Sequence, residues 1–368
     1  MKIMLITDAW EPQVNGVVRT LTRVIQESEA MGHEFEVVSP ADGFKTVPLP
    51  TYSEIKLALG ARKSIEDRFN AFEPAAVHIA TEGTLGMAGR AMCLKNKFPF
   101  TTSYHTRFPE YVSARFPVPL SWGYNFMQWF HRYSGHIMVA TPSMREELEA
   151  RGFNNVVSWS RGVDVDLFHP SKRTSMPDPF EGMERPIFLN VGRVAVEKNI
   201  EAFTELDLPG TKVVVGDGPQ REELERKYPK VKFLGPKFGE ELAACFAHAD
   251  TFVFPSLTDT FGLVILEAMA AGTPVAGYNA PGPKDLIPGS GAGVVGDDLR
   301  EAALGCLEMD RETCRKYAEG YSWRACAEAF IDNLEPLPVP ERRRFWKRLR
   351  RIRQRQERDT ESVLKDLG

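Results

Sequence analysis

The sequence predicts an α/β protein made of two parallel-sheet domains. Three observations lead there. Short continuous apolar runs, the mark of strands buried on both faces, recur along the chain. Stretches of helical periodicity separate them, giving strand, loop, helix, strand, the βαβ order that builds a parallel sheet. A proline-rich polar break, Ser171 to Arg185, interrupts the series, which then restarts. A chain of 368 residues is long enough for about two such domains.

Lys2 to Thr7 is the first buried strand. Asp8 to Asn15 makes a loop, and Gly16 opens a helix in which Val17, Leu21, Val24 and Ile25 fall on one face before Gly32 stops it. Gly16 is either a turn residue or a place where a phosphate can approach the backbone. Phe35 to Ser39 returns as a strand. Ser53 to Phe72 reads as mixed but helical, Ala76 to Ala80 as a strand, Thr84 to Asn96 as a helix and Pro99 to Tyr104 as a strand. His105 follows at a strand end, the edge where open α/β sheets bind ligands, although a lone His is as readily structural. Thr106 to Phe130 is crowded with aromatics (Phe108, Tyr111, Trp122, Phe126, Trp129 and Phe130 among them). Such density signals core packing, or, if exposed, an acceptor-binding face. His136 to Thr141 and Ser143 to Arg151 add a strand and a helix.

After the break, Ile187 to Val191 is a strand and Gly192-Arg193 a turn. Glu197-Lys198-Asn199 leads into a helix through Leu206. Lys212 to Val215 precedes Gly216-Asp217-Gly218-Pro219 and a charged helix from Gln220. Lys232 to Leu234 is a strand and Glu240 to Ala249 a helix. Arg193 and Lys198 near a strand end suit a diphosphate, Arg as a fork and Lys as a point charge; a solvated loop is the plain alternative.

The stretch from Thr251 to Ile287 is the most informative. A strand, Thr251 to Phe254, leads to a polar turn, Pro255 to Thr260. A helix, Leu263 to Ala271, then ends at Gly272. That helix carries one charge, Glu267, among apolar residues. A buried carboxylate costs several kcal/mol unless it is hydrogen-bonded. Asp259 lies eight residues earlier, in the turn. Two acids beside a helix start suit a polyhydroxylated ligand bearing phosphate, since carboxylates accept from hydroxyls and helix-start amides donate to anions. A buried helix whose Glu pairs with a core Arg fits the same residues.

Composition narrows the class. The net charge of −4 implies no polyanion partner, and nucleic-acid binding is not expected. Cys93, Cys245, Cys306, Cys314 and Cys326 show no CxxC and read as reduced thiols of a cytosolic protein. No run reaches the roughly 18 apolar residues of a membrane span, and the N-terminal apolar run is too short for a signal peptide. The absence of GxGxxG after the first strand counts against a nicotinamide enzyme. Residues 341–355 hold nine Lys/Arg and one acid, with Phe345, Leu349 and Ile352 at helical spacing. They read as a basic amphipathic helix for an anionic membrane surface, or as a solvated helix paired with the acidic body.

Together the segments ITDAWEPQVNGVVRTL (6–21), SYHTRFPEY (103–111), RGVDVDLFHP (161–170), VGRVAVEKNI (191–200), VGDGP (215–219), FLG (233–235) and Pro255 to Glu267 resemble the retaining, nucleotide-sugar-dependent glycosyltransferases of family 4. The first segment is also similar to the sulfoquinovosyl- and glycosyl-diacylglycerol synthases and lipid-directed mannosyltransferases of that family. The resemblance covers about residues 1 to 330. It implies the GT-B fold: two Rossmann-like domains (1–170 and 186–320, with linker 171–185) facing a central cleft, and a crossover helix (321–335) ahead of the 341–368 tail.

It further implies a UDP- or GDP-sugar donor, a lipid acceptor, no cofactor and no metal, and a cytoplasmic enzyme peripheral on the inner membrane face. Gly16 would approach the donor diphosphate through its backbone. His105 would reach the sugar near its primary hydroxyl. Arg193 and Lys198 would clamp the diphosphate. Asp259 would bind sugar hydroxyls and Glu267 the nucleotide ribose. Backbone at Gly216 and at Phe261, Gly262 and Leu263 would meet the donor. Two departures stand out: Asp259 is one methylene shorter than the family's Glu, and Arg161 replaces its usual Asn, so no role transfers to Arg161. Asp164 and Asp166 form an Asp-x-Asp that reads as structural.

Overall fold

A computed structural model describes residues 1–338 except Val14, Pro50, Thr51 and Phe116. The basic stretch 341–355 lies outside the described residues. Contacts divide the chain into two compact units. One comprises Met1–Tyr104, Met127–Met138 and the chain from Ile331; the other comprises His105–Phe126 and Val139–Phe330.

The strands before the break are Lys2–Ile6 (β1), Glu34–Val38 (β2), Lys45–Leu49 (β3), Tyr52–Leu59 (β4), Ala76–Ile79 (β5), Thr101–Tyr104 (β6), Ile137–Val139 (β7) and Val156–Ser158 (β8). Six of them form a sheet in the order β2-β1-β5-β6-β7-β8, with β1 paired in parallel to both β2 and β5. Ile3 to Ile6 are fully buried, as their unbroken apolar run requires. Each such side chain contributes about 1.5–3 kcal/mol by leaving water.

The helical reading of 53–72 needs correction. Residues 52–59 are β4, an antiparallel partner of β3, and the helix is confined to Arg62–Phe72. The alternation of Ile55, Leu57 and Leu59 with polar or small neighbours is a period-two pattern that the helical reading passed over.

The second series is Ile187–Val191 (β9), Thr211–Val215 (β10), Lys232–Phe233 (β11), Thr251–Phe254 (β12), Val275–Tyr278 (β13) and Gly293–Gly296 (β14). Its parallel sheet runs β11-β10-β9-β12-β13-β14. The order reverses at β9, whose neighbours are β10 and β12, so the loops after β9 and β12 meet at the switch point where such sheets bind ligands.

The helix Trp323–Asp332 follows, and the chain then rejoins the first unit. There Leu337 donates its N–H to the Ala75 carbonyl at 2.7 Å, and Pro336 bridges Ala76. Among the described residues no helix is long and apolar enough to cross a membrane.

Candidate active site

In the second unit, the turn between β12 and the helix Leu263–Ala270 gathers most of the residues singled out in the sequence. Lys198 donates to Asp259 Oδ1 at 2.5 Å. Lys198 ends a single 3-10 turn, Val196–Lys198, closed by Asn199 in the left-handed region at φ 53°. Two further bonds tie that turn to 255–260: the Asn199 amide donates to the Pro255 carbonyl at 3.1 Å, and Thr258 Oγ1 donates to the Glu197 carbonyl at 3.0 Å. Burial pulls the Lys198 pKa down, but the Asp259 charge, with Tyr111 and Glu197, more than reverses this and leaves it raised. The ammonium is therefore held charged. Asp259 Oδ2 is buried with no hydrogen-bond partner, an unused acceptor beside a fixed cation.

The adjacent residue holds His105. Thr260 Oγ1 donates to the His105 carbonyl at 2.7 Å. Arg161 donates to His105 Nδ1 at 3.3 Å, and since a guanidinium only donates, the imidazole is neutral with its proton on Nε2. Arg161 is itself fixed by the carbonyls of Trp159 and Ser160 and lies 4.3 Å over the Trp159 ring. Burial pushes its pKa down to about 10, still charged at neutral pH. The position at which no role transferred thus sets the tautomer of the candidate histidine. Its partner is 56 residues away in sequence, and no local signal reveals the pairing.

Phe261 is buried, and Gly262 caps the helix Leu263–Ala270 at φ 82° with no side-chain bond. Its first amides and its positive dipole end therefore face the turn uncapped by protein side chains. Gly262 is required on two counts: its φ, and the Phe254 ring, which would lie 2.9 Å from an added Cβ. Glu267 sits in that helix at 3% exposure. The neighbouring core arginine, Arg315, directs Nη1 to the carbonyls of Val165, Phe168 and Ala270 and Nε to Glu319.

Arg193 stands half-buried, two residues past the end of β9. Gly216 follows β10, and an added Cβ there would meet the Gly192 carbonyl oxygen at 1.8 Å. The two loops pack backbone on backbone there because position 216 is glycine. Gly16 belongs to the other unit. It is exposed and begins the helix Gly16–Ala30, whose N-cap Asn15 accepts from the Val17 and Val18 amides.

Two further residues emerge only from tertiary contacts. Tyr111, one of the aromatic crowd, is hydrogen-bonded to Thr258 and feels the charges of Lys198 and Asp259. Its pKa is raised, chiefly by burial. Asp8 secures the loop that leads to Gly16: it accepts from the Leu85 amide at 2.8 Å, the Gly86 amide at 3.2 Å and the hydroxyls of Thr81 and Thr84. Burial raises its pKa against those bonds.

Neither reading covers the aromatic stretch by itself. Tyr124, Met127 and Phe130 are buried, while Phe108, Trp122, Phe126 and Trp129 are exposed. Asp164 turns the chain by accepting from the Leu167 amide at 3.0 Å. Among the described residues no three His, Cys, Asp or Glu side chains converge as a metal-ligand set.

These sheets and loops define the GT-B class of sugar-transferring enzymes, and the chain aligns with sucrose-phosphate synthase from Thermosynechococcus elongatus at a TM-score of 0.72, 20% identity and 90% and 97% coverage of the two chains. Residues 14–167 match Glycosyltransferase Family 4 and residues 185–309 match Glycosyl transferases group 1. A sulfoquinovosyl transferase of Arabidopsis thaliana is 30% identical over 85% of this chain and 69% of its own length. A GDP-mannose-dependent alpha-mannosyltransferase of Mycobacterium tuberculosis is 30% identical over 78% and 81%. An alpha-monoglucosyldiacylglycerol synthase of Streptococcus pneumoniae is 27% identical over 78% and 73%. The chain belongs to glycosyltransferase family 4 and is a hexosyltransferase.

Proposed function

We propose that this enzyme transfers a hexose or hexuronate, with retention of configuration and without a metal, from a UDP- or GDP-sugar to a membrane lipid such as diacylglycerol. The observation that carries the reading is Asp259: one oxygen is fixed on Lys198, and the other is buried and unsatisfied beside an uncapped helix start. Breaking a glycosyl–phosphate bond builds positive charge on the sugar and negative charge on the leaving diphosphate. Lys198 and Arg193 take up the negative charge, aided by the amides of Phe261, Gly262 and Leu263. Fixed cations and dipoles need no reorganisation as that charge grows. Asp259 Oδ2 accepts from a sugar hydroxyl, and Glu267 accepts from the ribose. His105, neutral with its proton on Nε2, donates toward the sugar's primary hydroxyl. Gly16 and Gly216 let backbone approach the donor.

The lipid acceptor is supported by the diacylglycerol product in the pneumococcal relative's name and by the basic stretch 341–355, which would hold the enzyme at the cytoplasmic membrane face. The mycobacterial relative's name favours a second reading of the donor, mannosyl transfer from GDP-mannose.

A thermal-shift series with UDP, GDP and their sugars identifies the donor, since a ligand at 100 times its Kd adds roughly 2.7 kcal/mol. Transfer of that sugar to diacylglycerol vesicles, with the anomeric configuration retained and EDTA without effect, is the expected result. Strict dependence on Mn²⁺ or Mg²⁺, or transfer to soluble sugars alone, overturns the corresponding part.

A further inference from the structure

The helix Pro142–Ala150 is capped from a distant part of the chain. Its N-cap residue, Thr141, makes no side-chain bond to its own helix. Pro142 has no N–H, so the Ser143 amide is the first donor left to satisfy. Asp285, 142 residues away, takes it: Oδ1 accepts from the Ser143 amide at 2.9 Å and Oδ2 from the Ser143 hydroxyl at 2.6 Å. The same Oδ2 accepts from the Gly282 amide at 3.3 Å. Thr141, buried and relieved of capping, donates its hydroxyl to the Thr260 carbonyl at 3.3 Å. All of these residues belong to the second unit.

Two consecutive peptide units of the turn 259–262 are therefore held by their carbonyls. Thr141 holds that of Thr260. Gly282, at φ 89°, packs so closely on the next that an added Cβ would lie 2.6 Å from the Phe261 carbonyl oxygen. Both peptide bonds are trans. A trans peptide is planar, with its N–H opposed to its C=O, so fixing one end fixes the other. Opposite the Thr260 carbonyl is the Phe261 amide, and opposite the Phe261 carbonyl is the Gly262 amide. Asp285 joins the two grips, because it ties the helix start that carries Thr141 to the turn that carries Gly282.

We propose that Thr141 and Asp285 are positioning residues that aim the Phe261 and Gly262 amides at the donor diphosphate, an assignment that rests on reading the turn 259–262 as the donor site. Neither side chain is given a contact with the donor. A carbonyl held from behind leaves its amide no freedom to turn away, so both N–H groups meet the diphosphate without reorganising.

Titration calorimetry of the full-length chain with UDP and GDP, and with the matching monophosphates UMP and GMP, tests this alongside thermal midpoints. Thr141→Val nearly keeps the side chain's shape and removes its hydroxyl. It should weaken binding of the preferred diphosphate by about tenfold while the monophosphate stays within about threefold of the parent. Asp285→Asn should cause the same selective loss, and Thr141→Ser, which keeps the hydroxyl, should retain the parent's preference. A lower thermal midpoint with both nucleotides weakened alike, or with neither weakened, is the mark of a purely structural role and overturns the inference. If the parent itself does not prefer diphosphate over monophosphate, the donor-site reading fails and takes this inference with it, so the two failures are distinguishable.

Discussion

Two carboxylates, the buried Asp8 of one unit and the half-buried Asp259 of the other, are held in opposite ways. Asp8 receives two backbone amides and two hydroxyls at the start of the helix Thr84–Asn96, and an added Cβ on Gly83 would sit 2.4 Å from its carboxyl carbon. Asp259 spends one oxygen on Lys198 and leaves the other buried without a partner. The first is saturated by its own fold; the second is complete only with something added. His78 resembles Asp8: it is fully buried, with Nδ1 at 2.9 Å from Thr101 Oγ1 and Nε2 at 2.9 Å from Ser103 Oγ. The fold itself satisfies Asp8 and His78, whereas Asp259 keeps a spare acceptor.

The largest expected effect strikes the incomplete pair. Lys198→Ala and Asp259→Asn should each lower kcat by about a hundredfold or more, the scale of losing one preorganised electrostatic contact, with little change in thermal midpoint. If Asp259→Asn unfolds the protein as readily as Asp8→Ala, the contrast fails. Asp8→Ala should act chiefly on stability, costing roughly 3 kcal/mol in urea unfolding because it strands helix-start amides in the interior. Donor binding by the fraction still folded should persist.

The smallest effect is a pH dependence. Burial pushes the His78 pKa down to about 3, so the folded state keeps it neutral while the unfolded chain protonates below about 6.5. Its stabilisation is complete above that pH and is lost as pH falls toward 3, by about 1.4 kcal/mol per unit. Urea midpoints at pH 7 and pH 5 should diverge less in His78→Gln than in the parent; equal divergence would show that His78 is not the titrating group.

The sheets were legible because their strands are short apolar runs that cannot be mistaken for surface. The hairpin of β3 and β4 was not: its strands alternate weakly, and Val47 and Leu59 are exposed. Of the site, the residues on the loops around β9, β10 and β12 could be read from spacing and family likeness. The roles of Asp8, Tyr111 and Arg161 could not. Each depends on a partner dozens of residues away, and an Asp, Tyr or Arg in a loop carries no local mark of the group it will meet. The aromatic stretch misled in a different way. Composition counts aromatic residues but does not say which face of a helix they occupy.

The turn 255–260 has one more consequence. Asp259 and Thr260 are neighbours in the chain, yet one grips Lys198 and the other grips His105. Cation and imidazole therefore share a single mount. On the proposed assignment, the group that would hold the charged end of the donor and the group that would meet its sugar are therefore positioned by one peptide unit.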